Sequence, residues 1–149
     1  MKAIIVKQPF ANLILWGAKP LETRTWQIQH RGDLLIVAGK TLHDGHCYVP
    51  LQLPGIIEDV DCVDIYKEWW KNEVPLHLGK AVCVATVTGC RPMEKRDEYN
   101  ACCRQYPGAF VWRLENIRPV LPFEVRGYQG LFEVDDELIL YPEIDLLTF

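Results

Sequence analysis

The chain has 149 residues, of which 49% are apolar and 24% charged, with a formal charge of −4, the balance of an ordinary soluble globular protein. That length suits one domain that buries about two-thirds of its unfolded surface. The negative total argues against a protein that coats duplex nucleic acid by electrostatics, and the apolar runs are too short to span a membrane.

Taken in order, residues 2 to 6 read as a first buried strand. The run is too short for a signal peptide, so a cytoplasmic location is expected. A helix over residues 9 to 16 opens at Pro9, buries Phe10, Leu13, Ile14 and Trp16 on one face, and stops at Gly17. Pro20 pushes Lys19 toward an extended conformation, and residues 21 to 27 follow as a strand. Residues 34 to 39 form a buried strand of branched apolar residues. Residues 40 to 57, with Gly45, Pro50, Pro54 and Gly55, read as an inserted irregular loop.

A helix with an aromatic face is predicted over residues 58 to 72. Adjacent Trp69 and Trp70 cannot both point inward from it, which makes the pair a candidate surface for a protein partner. Residues 81 to 90 are small, β-branched and uncharged, a buried strand. A charged helical pattern covers residues 94 to 105 and ends at Pro107-Gly108. Residues 109 to 114 alternate as a strand. Pro119 and Pro122 restrict residues 117 to 125 to an edge or bulged strand. Short strands or turns are expected near residues 131 to 134 and 137 to 141. Strands and helices do not alternate regularly, and no glycine-rich loop joins a strand to a helix. The fold class is mostly β within an α+β frame: a small, mainly antiparallel barrel with two to four peripheral helices.

The six cysteines show no CxxC pair, so reduced thiols are expected. His43, His46 and Cys47 lie close together, but no second ligand cluster follows; no metal and no cofactor are expected. Six acidic residues and no basic ones occupy residues 133 to 149, and removing them from the total leaves residues 1 to 132 at +2. A mildly basic body can present one basic cleft.

The stretch without an obvious structural purpose is residues 8 to 32. Glu22, Arg24 and Trp26 share one face of the strand that follows Lys19, while Leu21, Thr23 and Thr25 share the other. Glu22 and Arg24 can pair with each other or with Arg31, a common surface arrangement of little energetic weight. They can equally form a polar site. The turn reads Gly17-Ala18-Lys19-Pro20-Leu21-Glu22-Thr23-Arg24, which matches the G-x-K-x-x-E-x-R signature of the ASCH domain family. Gln8-Pro9-Phe10, Trp26 and His30-Arg31-Gly32 flank it in the same way. Gly79 to Ala85, Ala109 to Asn116 and Arg126 to Phe132 resemble the family's central and closing segments. The chain therefore resembles a stand-alone bacterial or phage ASCH protein, and is also similar to the ASCH domain of a eukaryotic transcription coactivator.

The resemblance implies a PUA-like β-barrel with a cleft at the motif that binds RNA or a nucleotide. Lys19, Glu22, Arg24, Trp26 and Arg31 are its candidate binding residues. Arg24 can fork onto a phosphate or base edge, Lys19 can supply a point charge, Glu22 can accept from an exocyclic amine, and Trp26 can stack a base. Arg113 and Tyr128 are further candidates. If the protein is an enzyme, Lys19 and Glu22 are the candidate catalytic groups. Some ASCH proteins resemble N4-acetylcytidine amidohydrolases with a lysine, a threonine and a glutamate; here Glu22 stands where they place the threonine. A ribonuclease and a protein-interaction adaptor are the other readings.

Overall fold

The computed structural model describes residues 1–50 and 57–143. Its main sheet comprises β1 (Lys2–Val6), β2 (Leu21–Arg24), β3 (Gly32–Ala38), β6 (Ala81–Pro92), β7 (Phe110–Pro119) and β8 (Phe132–Glu133). Their order is β2-β7-β6-β3-β1-β8, antiparallel at every contact except β1 with β3. Three α-helices accompany it: α1 (Phe10–Leu15), α2 (Cys62–Lys71) and the single turn α3 (Glu98–Ala101). The sheet is a half-barrel, and register shifts in β3 and β6 mark where the strands bend to curve it.

Alternation along the central strands covers both faces. Ile4, Val6, Leu34, Ile36 and Val87 point into a core closed by Ala11 and Ile14 of α1 and by Trp112. Ala3, Leu35, Val37 and Val84 point the other way, against Val120, Val134 and Ile139. The described part of the acidic final segment, residues 133–143, therefore packs on the sheet through Val134 and Ile139. Glu133 pairs with Lys2 at 2.7 Å and Asp136 with the N-terminal ammonium at 2.6 Å. Asp145 lies outside the described residues.

Several elements differ from the sequence pattern. Residues 46–50 and 57–61 are not part of an irregular loop and the start of a helix: β4 (His46–Pro50) pairs with β5 (Ile57–Asp61) as a separate two-stranded sheet, and residues 51–56 of the expected loop lie outside the described residues. The Asp61 carboxylate accepts from Val63 N–H at 2.9 Å, so α2 begins at Cys62 rather than Glu58. α1 ends at Leu15, which leaves Trp16 52% exposed and brings the buried polar Asn12 onto the inward face. Gln8 and Asn12 satisfy each other there and donate to the carbonyls of Leu76 and Pro75. The long helix expected over residues 94 to 105 stops at Ala101, because Cys102 takes a left-handed φ of 55°. Residues 102 to 106 then continue without helix, which matters for the cleft. The six cysteines are free thiols. No described helix is long and apolar enough to cross a membrane.

Candidate functional site

β8 pairs only with Lys2 and Ala3, so the second half of β1 has no strand partner on that side. β2, the opposite edge of the half-barrel, faces this gap. The result is a cleft of about 770 Å³ between the two edges, a size that suits a small organic ligand. Its walls are Ile4 to Val6 of β1 with Lys7, Phe10 of α1, Lys19, Glu22 to Arg24 of β2, and residues from the segments around His43, Arg104 and Tyr128.

At its centre stands a chain of charge. The Glu22 carboxylate, 5% exposed, lies 3.7 Å from Lys19 Nζ and 3.0 Å from Arg24 Nη2. Arg24 also donates from Nε to Glu22 at 3.3 Å and from Nη2 to the Ile5 carbonyl at 2.6 Å. The Thr23 N–H donates to the other Glu22 oxygen at 2.9 Å. Burial alone would raise the Glu22 pKa. The positive charges of Arg24 and Lys19 and the Thr23 N–H outweigh it and hold the carboxyl below its ordinary value. Lys19 is 2% exposed, and its ammonium donates to the Ala101 carbonyl at the C-terminal end of α3, where helix carbonyls lack partners. The Phe10 ring lies 5.0 Å from the ammonium. Lys19 thus ties the turn to α3 as well as facing the cleft.

Arg24 is held differently. Its side chain is 27% exposed, and two of its nitrogens are engaged while Nη1 makes no hydrogen bond among the described residues. That nitrogen presents N–H donors to whatever enters. The cleft carries four basic side chains, Lys7, Lys19, Arg24 and Arg104, against one carboxylate, Glu22.

Of the five candidate binding residues, the fold brings Lys19, Glu22 and Arg24 together and leaves Trp26 and Arg31 off the cleft walls. β2 ends at Arg24 and the chain bends, so Trp26 does not continue the Glu22–Arg24 face. Its ring is partly buried and packs edge-on against Trp112 at 4.7 Å, on the edge of the main core. Arg31 is exposed and donates to the carbonyls of Ile28 and His30. Arg113 bonds Thr88 on the outer surface. His43, His46 and Cys47 do not converge: His46 pairs with Asp59 at 3.0 Å and Cys47 is buried.

Other residues on the cleft wall lacked a local sequence signal. Cys103, Arg104 and Tyr106 reach it because the chain leaves helical geometry at Cys102. Thr23, although on the opposite strand face from Arg24, also reaches the wall, with its hydroxyl 3.7 Å from the Cys103 thiol. Tyr128, already a candidate from the sequence, is 55% exposed and reaches the wall on the loop 127–130. That loop crosses β1 so closely that a Cβ on Gly127 would lie 2.1 Å from Ile5 Cδ1.

The ASCH domain family model matches residues 4–124, from β1 through the end of β7. The chain belongs to the ASCH domain family. Among solved structures, the ASCH protein of Zymomonas mobilis superposes on this ASCH domain with a TM-score of 0.55 at 12% identity, covering 91% of this chain and 88% of that one. A mutant form of the same protein gives 0.52 at 12% identity, covering 91% of each chain. At that identity the likeness is one of fold. No curated protein matches this ASCH domain in sequence. In the half-barrel the G-x-K-x-x-E-x-R residues occupy the gap between the sheet's two edges.

Proposed function

We propose that this ASCH domain is a recognition module whose cleft holds one nucleotide of a single-stranded RNA. The observation that carries the reading is the Arg24 guanidinium. It is oriented by Glu22 and the Ile5 carbonyl and exposes Nη1 in a cleft where basic groups outnumber acidic ones. Planar N–H donors of fixed direction suit phosphate or base-edge acceptors. Phe10, Tyr106 and Tyr128 supply aromatic surface for an unstacked base.

The state of Glu22 favours recognition over catalysis. A general base works best with a pKa near the working pH. The Glu22 carboxyl is held below its ordinary value and is engaged by Arg24 and the Thr23 N–H, with Lys19 close by. On this reading N4-acetylcytidine shows no turnover above a Lys19→Ala control. The direct test is an amide NMR titration with uridine monophosphate. Shifts at Thr23, Arg24 and Tyr128 that weaken with salt are expected; their absence overturns the reading.

One observation favours an additional protein contact. Trp70 is 85% exposed on α2, whereas Trp69 packs edge-on against Trp16 at 5.2 Å. A partner docked there would be lost on Trp70→Ala without any change in nucleotide binding, and a binding partner that survives this substitution removes the idea.

A further inference from the structure

We infer that a second groove beside the cleft carries the sugar-phosphate backbone of the same single strand. This rests on the nucleotide reading of the cleft and extends its footprint beyond one nucleotide. The groove has a volume of about 710 Å³ and shares Ile5, Lys7 and Gly127 with the cleft, so the two are continuous across the end of β1.

The linings of the two spaces differ in the way a nucleotide chain requires. The cleft offers aromatic rings; the groove has none. It offers three exposed cations instead, Lys7, Lys40 and Arg126, against a single carboxylate, Glu124. None of these four side chains forms an ion pair among the described residues. Arg91, Arg96 and Arg118, by contrast, pair with Asp97, Glu94 and Asp33. Three unpaired cations sharing one concave strip of a chain with net charge −4 form a local field that attracts a polyanion.

Glycines shape the floor. A Cβ on Gly39 would lie 3.1 Å from Ile5 Cγ2, and one on Gly79 3.0 Å from Lys40 Cε. The groove thereby brings main chain to its surface and leaves room for the lysine stem, a geometry that admits close approach of a ligand backbone. A base gains little on an aromatic-free surface, whereas phosphates gain from each unpaired cation.

The test uses hexauridylate and uridine monophosphate on the full chain, with a Lys40→Gln variant; Arg126 is kept because its guanidinium lies 5.6 Å from the Tyr128 ring of the cleft. The proposal expects hexauridylate, but not the monophosphate, to shift the amides of Gly39, Lys40, Gly79 and Val125. It expects the variant to keep its monophosphate affinity and to lose about threefold for hexauridylate, with a salt slope shallower by about 0.7, the value for one phosphate contact. Hexauridylate shifts confined to Thr23, Arg24 and Tyr128, or a variant with unchanged hexauridylate affinity, overturn the groove and leave the cleft reading standing. Silence from both probes everywhere overturns both. Groove shifts without cleft shifts overturn the cleft reading and, with it, the shared strand.

Discussion

The Arg24 guanidinium donates to the Ile5 main-chain carbonyl at 2.6 Å. That bond spans the opening between β2 and β1, the two facing edges of the half-barrel. An unpaired strand edge presents free carbonyls; here one of them orients the side chain that offers donors to a ligand. Removing Arg24 therefore acts on both the cleft and the closure of the sheet.

Arg24→Ala is expected to lower uridine monophosphate affinity at least tenfold while reducing stability by only about 1–2 kcal/mol, since the side chain is partly exposed. Arg24→Lys keeps a charge but loses the fork to Glu22 and does not restore binding. Titration calorimetry with a parallel thermal melt separates the two effects. Full binding by Arg24→Lys would mean that only charge matters at this position.

Lys19→Ala is expected to act mainly on stability. The side chain is 2% exposed, and its removal leaves the Ala101 carbonyl and one side of Glu22 without their cation, together with a cavity. A loss of about 3 kcal/mol follows, or roughly 10 °C in melting temperature. A melt within a degree or so of the parent would show that Lys19 has no structural part.

Acid should destabilise the fold through Glu22. Its folded-state carboxyl lies below the ordinary value of 4.5, so its contribution is complete above that pH and disappears as the pH falls through the folded value. Asp33, paired with Arg118, and Asp97, forked by Arg91, act with the same sign. Glu22→Gln is expected to be less stable at neutral pH and to converge on the parent in acid. A gap in melting temperature that is constant with pH would contradict the charged role of Glu22.

Of the two aromatic candidates, Tyr128 rather than Trp26 is expected to serve the ligand. Trp26→Ala removes a partly buried ring beside Trp112, costing about 2–3 kcal/mol. Tyr128→Ala removes an exposed ring, leaves the melt unchanged and weakens nucleotide binding by about tenfold. Paired melts and titrations of the two variants decide this, and the reverse pattern would place the stacking surface on Trp26.

Local pattern determined much of this protein. Branched apolar runs predict β1, β3 and β6, Gly17 predicts the end of α1, and the G-x-K-x-x-E-x-R turn brings Lys19, Glu22 and Arg24 together, because residues so near in sequence on a turn and strand remain neighbours in space. The tertiary structure decided what depends on contacts between distant segments. β4 and β5 pair with each other where composition suggests a loop and a helix start, since strand pairing rewards a partner that no local window contains. Trp26 packs against the core because β2 ends early and Trp112, far along the chain, fills the space beside it. The cleft itself arises because β8 is too short to cover β1, leaving an edge that Arg24, Tyr128 and the segment after Cys102 approach from three directions. Alternation along a strand tells which side chains share a face. Which face meets empty space is settled only when the sheet curves and its edges fail to pair.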